Sequence, residues 1–314
     1  MVNNTAEHII TKSPATNHGD PVDVAADIKN SGVYEGTRLI PVLTIAGSDC
    51  SGGAGVQADL KTMSANGVFA ESVITSVVAE NTARVISVQN IDVNIIKDQI
   101  DAVFEDIPPK AVKIGMLDSP EIMRAVAEKL EQYNPEHVVI DPVMYAKNGA
   151  ALMDPSCIGT LIDIIIPRAG VLTPNIPEAE RISDMEIRSV ADQRKAAQVI
   201  QKMGCLSVLV KGGHAHGDAR DVLFDGEQFH EFTTPRIPTK NTHGTGCTYS
   251  SAIASQLALG YRRDQAIARA KRYVTVAIQH ALMLGNGNGP THHFWDLYEH
   301  GLDDSAVGKS QVVR

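Results

Sequence analysis

The sequence predicts an α/β protein: a mainly parallel central sheet covered by helices on both faces. Short apolar runs recur along the chain with helical stretches between them, as in Val42 to Ala46, Ala111 to Met116 and Val138 to Val143. Strands joined through helices need crossover connections, so they run parallel and are buried on both sides. Polar residues gather just after these runs, and ligands of parallel sheets sit beyond the carboxyl ends of the strands.

Residues 1–37 are polar, rich in Asn, Thr, Asp and Pro, and show no sustained periodicity. They read as a flexible arm ahead of a single domain over 38–314. After the first strand, Gly53 to Ala65 forms a helix closed by Asn66-Gly67. A second strand is expected from Ser72 to Ala79, and then Ile95, Ile96, Ile100, Val103 and Phe104 share one helical face. Ala111 to Met116 is the third strand. Ser119-Pro120-Glu121 supplies a cap, a first-turn proline and an early acid to a helix that turns Ile122, Val126 and Leu130 inward. Val138 to Val143 is a strand, Cys157 to Ile165 a helix, and Val171 to Thr173 a strand. Ser189 caps a helix running through Met203 to a stop at Gly204, and Val208 to Lys211 is the next strand. Val222 to Phe224 and Phe229 to Phe232 flank Asp225-Gly226, a hairpin signal that implies antiparallel strands near one edge. Two helices finish the core, the second with Ala266, Ala270, Val274, Ala277 and Ala281 on one face.

Composition excludes several function classes. A formal charge of −9 leaves no basic stripe for nucleic acid. No apolar run is long enough to span a bilayer, and the N-terminus lacks the pattern of a secretory signal. The four cysteines, Cys50, Cys157, Cys205 and Cys247, form no CxxC pair and no zinc-like spacing. A reduced, cytoplasmic protein is expected.

The chemistry centres on Asn241-Thr242-His243-Gly244-Thr245-Gly246-Cys247-Thr248, between a strand-like run and a helical run. Two glycines let the backbone turn tightly and expose N–H groups, and a helix start adds unpaired donors and a positive dipole end. Such a loop favours an anion, and the same helix terminus is expected to bias the Cys247 thiol toward thiolate. A plain glycine-rich helix entry with a small buried cysteine is the alternative. The other strand ends decide between them. They carry Gly47 to Gly55, Glu80-Asn81-Thr82, Gly115-Met116, Asp141 to Met144, Thr173-Pro174-Asn175 with Glu178 behind, and Lys211 to His214.

Gly53-Ala54-Gly55-Val56-Gln57-Ala58 fits a dinucleotide fingerprint, with Glu80 at the end of the next strand. Ser48 to Gly52 nevertheless separate the strand from the first glycine, so the required tight turn is missing. No GxxxxGK[ST] loop occurs, and no arginine follows Cys247 as a cysteine phosphatase would need. Phosphoryl transfer uses every part, because it requires fixed dipoles, a metal and a base near the acceptor hydroxyl. The N–H groups of Gly244, Thr245, Gly246 and Cys247 supply the dipoles, and Cys247 stands where the base belongs. Asp141 and Glu178 are suited to organising Mg²⁺ directly or through water. Lys211 and Asn175 are suited to nucleotide phosphates.

The ordered set LTIAGSDCSGGAGVQADLKT, KIGML, DPVMYAKNG, LTPNIPEAE, VLVKGGH, NTHGTGCT and GNGPTHHF resembles the hydroxymethylpyrimidine/phosphomethylpyrimidine kinases of thiamine synthesis. The resemblance spans Leu39 to Phe294. It implies the ribokinase-like three-layer sandwich and ATP- and Mg²⁺-dependent phosphorylation of the 5-hydroxymethyl group of an aminopyrimidine, and then of the monophosphate to the diphosphate. It also implies a homodimer; composition has already argued against a nucleic-acid or membrane partner. By match, the pyrimidine lies among Gly47, Asp49, Ala54, Glu80, Met116, Val143 and Cys247, and ATP meets Asn175, Lys211, Thr242 and Gly244. Most relatives in the wider superfamily carry an aspartate base in the glycine-rich loop, where this branch has a cysteine. The chain departs from the pattern in having Glu80 for glutamine, Cys50 for proline and Tyr145 for an aliphatic residue. A pyridoxal kinase of the same fold is the close rival. A ligand-binding regulator without catalysis is the rival from another class, disfavoured because it needs neither metal acids nor a base.

Overall fold

A computed structural model describes residues 39–145, 152–154, 156–213 and 217–300. The expected arm at 1–37 and His214 lie outside the described residues. The first strand is β1 (Pro41–Ala46), paired in parallel with β2 (Phe69–Ile74) on one side and β5 (Ala111–Ile114) on the other. The sheet continues through β6 (His137–Ile140), β7 (Val171–Leu172) and β8 (Val208–Val210), all parallel. It closes with β9 (Ala219–Phe224), antiparallel to β8, and β10 (Phe229–Thr234), antiparallel to β9. The spatial order is β10-β9-β8-β7-β6-β5-β1-β2. The hairpin at Asp225-Gly226 therefore sits at one edge, as its turn chemistry predicted.

Alternating side chains of β1 show how the sheet is covered. Leu43 and Ile45 belong to one buried cluster with Ile96 and Ile100 of α2 (Val93–Asp106). The same cluster takes Ile122, Val126 and Leu130 of α3 (Pro120–Tyr133) and Ile200 of α6 (Val190–Gln201). Val42 belongs to a second cluster on the opposite face. That face takes Met63 of α1 (Gly55–Ala65), Ala252 and Ile253 of α7 (Thr245–Ala258), and Ala266, Ala270 and Val274 of α8 (Arg263–Gln279). This is the expected three-layer arrangement. Ser119 and Ser189 cap α3 and α6 as the sequence predicted, each accepting a backbone N–H from three residues on.

The structure corrects four local expectations. The strand expected over Ser72 to Ala79 is two strands in different sheets. β2 follows β1 only as far as the Ile74–Ala46 pair, and Thr75 N–H donates to Ala46 O at 3.0 Å. Beyond Ala46, β1 has ended, so the chain finds a new partner: β3 (Ser76–Glu80) pairs antiparallel with β4 (Val85–Asn90), a strand the sequence reading lacked. β-Branched and apolar residues recur on both sides of the break, Val73 and Ile74 before it and Val77 and Val78 after it, which is why the sequence does not show it. Ile95 faces outward at 52% exposure, while Ile96 and Ile100 are buried. The helix expected over Cys157 to Ile165 is regular only in α4 (Cys157–Thr160), then widens to a π-turn over Leu161–Ile165 and tightens over Ile166–Arg168. Pro167 has no N–H to offer the α-helical ladder there. Finally, β6, β7 and β8 end one to three residues before their expected limits, leaving Asp141, Thr173 and Lys211 just past the strand ends.

Candidate active site

A cavity of about 550 Å³ opens at the carboxyl ends of the parallel strands. Gly47 follows β1, Met116 follows β5, Asp141 and Val143 follow β6, Asn175 follows β7 and Lys211 follows β8, and all line it. Ala54, Glu80, Glu178, Thr242 and Gly244 to Cys247 complete the set of expected residues on its wall.

Asp49 is the exception. Its carboxylate is fully buried and its oxygens are occupied by the loop itself, so it is absent from the cavity wall. Oδ1 accepts from Ser51 N–H at 2.7 Å, and Oδ2 accepts from Gly53 N–H at 3.0 Å and Ala54 N–H at 2.7 Å. His243 Nε2 reaches the same Oδ2 at 2.8 Å. Burial works against its charge, yet His243 and these donors hold the Asp49 carboxyl well below the usual range. In this structure Asp49 thus organises the loop, joining the β1–α1 turn to the loop before α7, instead of lining the cavity. His243 was missed as a functional residue, although it stands inside the quoted glycine-rich motif.

Two glycines fix how these loops meet. Gly244 has φ +75° and its missing Cβ would lie 1.8 Å from Gly53 O; Gly55 has φ +55° and its Cβ would lie 2.5 Å from Gly47 O. Gly244 is the N-cap of α7, so the N–H groups of Thr245, Gly246 and Cys247 lie outside the helical ladder at the cavity. Gly246 packs against Asp141, its Cβ position 3.0 Å from Oδ2.

Cys247 differs from the sequence expectation in its ionisation. The half-buried thiol is pushed up to about 12, burial being the largest cause. Lys113 and the Gly55 N–H pull it down, while Asp59 and Asp141 push it further up. The helix terminus does not win: removal of water from the thiolate outweighs the dipole.

Asp141 Oδ1 accepts from Lys211 Nζ at 2.6 Å and from Thr173 Oγ1 at 3.1 Å. Burial disfavours the Lys211 charge, but Asp141 and Glu178 outweigh it and raise its affinity for the proton. Glu178 and Asn175 form a capping box that starts α5 (Ile176–Ser183): Glu178 Oε2 accepts from Asn175 N–H at 2.8 Å, and Asn175 Oδ1 accepts from Glu178 N–H at 3.0 Å. Both residues thus serve the fold as well as the cavity. Burial pushes Glu178 up to about 7, with Lys211 opposing and Asp141 adding. Glu80 is likewise pushed up to about 7, by burial and by the Asp49 charge, against the pull of His243.

Asp221, Tyr249 and Lys271 also line the cavity, and the sequence reading missed them. Lys271 Nζ donates to Asp221 Oδ2 at 2.7 Å, and Asp221 Oδ1 accepts from Gly212 N–H at 2.9 Å. The one available signal is a lysine beside the apolar face of α8, next to Ala270.

A parallel sheet with an anion-receptive helix start, a lysine, two acids and a cysteine in one cavity defines a phosphotransferase of the ribokinase-like fold. The chain belongs to the phosphomethylpyrimidine kinase family, whose family model matches residues 49–292. It is 47% identical to the hydroxymethylpyrimidine/phosphomethylpyrimidine kinase of Bacillus subtilis over 82% of this chain and 95% of that protein. It is also 47% identical to the thiamine biosynthesis bifunctional protein of Geobacter sulfurreducens over 92% of this chain, but spans only 59% of that longer protein. Among solved structures, an ADP complex of Bacillus subtilis pyridoxal kinase matches with a TM-score of 0.77 and 38% identity, covering 82% of this chain and 98% of that one.

Proposed function

We propose that the chain transfers the terminal phosphoryl group of ATP to the hydroxymethyl of 4-amino-5-hydroxymethyl-2-methylpyrimidine, and then phosphorylates the monophosphate to the diphosphate. The observation that carries this reading is the meeting of Cys247, the start of α7 and the Asp141–Lys211 pair in one cavity. The N–H groups of the Gly244 cap and of the first turn, Thr245 to Cys247, receive the moving phosphoryl charge, and Lys211 holds phosphate oxygens. Thr242 and Asn175 line the ATP side. Gly47, Ala54, Glu80, Met116 and Val143 hold the pyrimidine, and Cys247 takes the proton from its hydroxyl.

The acids fit a divalent cation. Asp141 and Glu178 are buried close enough for Asp141 to raise the Glu178 pKa, a repulsion that a bound cation relieves. Mg²⁺ held there, directly or through water, supplies charge neutralisation at the phosphates. Four free thiols fit a reducing compartment such as the cytoplasm. The exposed apolar residues Val77, Ile86 and Val88 on the β3–β4 hairpin favour a homodimer.

Pyridoxal phosphorylation is the second reading, favoured by the similarity to a pyridoxal kinase structure. Turnover of ATP with hydroxymethylpyrimidine, its monophosphate and pyridoxal, measured side by side, decides. Both pyrimidines are expected to be phosphorylated, with pyridoxal slower. Phosphorylation of pyridoxal alone would reverse the assignment.

A further inference from the structure

Beneath the cavity lies a buried ion pair that the reaction described above does not use. Lys113 on β5 and Asp59 on α1 are both fully buried, with Lys113 Nζ 2.7 Å from Asp59 Oδ2. Thr44 Oγ1 on β1 donates to the same oxygen at 2.6 Å, and Ser251 Oγ on α7 donates to Oδ1 at 2.7 Å. Four elements thus meet on one carboxylate.

Their register is informative. Asp59 stands one turn after Gly55 on α1, and Ser251 stands one turn after Cys247 on α7. Gly55 offers its backbone N–H to Cys247 where the two helix starts meet at the cavity. The Asp59–Ser251 bond is therefore a clasp one turn below that meeting point. Lys113 extends toward the carboxyl end of β5, for its Nζ lies 2.7 Å from where a Cβ on Gly115 would be. Taking a lysine and an aspartate wholly out of water costs several kcal/mol per ion, and replacing such a pair with apolar residues is often neutral or stabilising. A pair placed one turn below the proposed base has a better account in the field it sets up.

We propose that Lys113, Asp59 and Ser251 are positioning residues: the clasp sets the spacing of the two helix starts and holds the buried Lys113 cation one turn below Cys247. This rests on Cys247 being the base. The charged groups acting on the thiol are Lys113 from β5, Asp59 from α1, Asp141 after β6, and Lys211 after β8, whose own ionisation feels Cys247 in turn. Lys113 opposes the burial that keeps the thiol protonated, and Asp59 adds to it. The two charges of the pair therefore act on Cys247 with opposite sign.

That opposition supplies the test. The rate of Cys247 alkylation by iodoacetamide at one fixed pH, without nucleotide or metal, reads thiolate availability independently of turnover. Cys50→Ser removes the exposed competing thiol, and Cys157 and Cys205 are buried. Lys113→Met is expected to slow alkylation by about tenfold, one pKa unit of thiolate, and Asp59→Asn to accelerate it several-fold. Structural damage alone would move both variants in the same direction, and that result, or rates unchanged in both, overturns the proposal. If Lys113→Met does not fold, Asp59→Asn still decides, because faster modification with a retained thermal transition is the expected sign. Ser251→Ala keeps both charges and loses the clasp, so it is expected to lower kcat with KM for both substrates unchanged; an unchanged kcat removes the positioning role. If alkylation behaves as expected while the wild-type chain phosphorylates pyridoxal and neither pyrimidine, the proposed substrate fails and this inference stands; a chain that phosphorylates none of the three overturns both.

Discussion

At Cys247 two physical effects oppose each other. A helix start favours the thiolate, while burial beside Asp59 and Asp141 disfavours it and pushes the thiol up to about 12. The thiolate of such a group is scarce but strongly basic, suited to taking a proton as the hydroxyl begins to bond phosphorus. Cys247→Ala is expected to lower kcat by about 10²–10⁴-fold while ATP binding, followed by calorimetry, is retained. A variant with near-full kcat would remove the base assignment. Glu80 is the second residue whose charge matters. Pushed up to about 7 by burial and Asp49, it is largely neutral below that pH and ionised above it. A neutral carboxyl can donate to an unprotonated ring nitrogen, and a carboxylate cannot. Affinity for the pyrimidine is therefore expected to fall as pH rises from 6 to 8 in the wild type, and Glu80→Gln is expected to flatten this dependence. Equal slopes in the two proteins would show that Glu80 does not read the ring. Nearly all of the expected site residues lie on this wall, because they follow strand ends or sit in the glycine-rich loop. Asp49 was legible as a functional position but not as a loop anchor, since its partner His243 is 194 positions away.

Among the elements, β2 carries an unusual load. Glu71 is buried within it, opposite Leu43 of β1, and Oε2 has no hydrogen-bond partner among the described residues. Burial raises its pKa from the usual 4.5 to about 7. Between those values the unfolded chain has released a proton that the folded chain keeps. Stability is thus full below pH 4.5 and is lost as pH rises toward 7, by on the order of 1–3 kcal/mol. Glu71→Gln is expected to melt higher than the wild type at pH 8, with the gap closing toward pH 5 in thermal unfolding. A gap of equal size at both pH values would mean that the buried charge is not the cause. The helix after Cys157 gives a related lesson. Its apolar residues follow a helical period, but hydrogen bonding there passes through a π-turn before Pro167, and periodicity does not record which carbonyl an N–H selects.

At the scale of the molecule, the β3–β4 hairpin leaves an apolar surface uncovered among the described residues. Val77, Ile86 and Val88 on it are 49%, 62% and 43% exposed. A second copy of the chain covering this hairpin would bury it. Sedimentation is expected to give twice the 33.7 kDa chain mass, and Ile86→Asp with Val88→Asp to give the single chain. A wild-type protein that sediments as a monomer would end the homodimer proposal. Because β3 ends in Glu80, the same hairpin contributes to the cavity, and the monomeric variant should also show a weaker KM for the pyrimidine.

The alternation of strands and helices, the parallel sheet, the edge hairpin and the rim of polar residues at the strand ends could all be read from the residues in order. These follow from local periodicity, caps and turn residues, which act over a few positions. Tertiary structure alone decided where β2 gives way to β3, since that depends on where its neighbour β1 ends. It also decided that Asp49 belongs to His243, that Asp59 joins Lys113 to Ser251, and that Cys247 is held protonated. Charge states of buried groups are set by the water removed and by partners brought in from distant positions, and neither is written in the residues adjoining them.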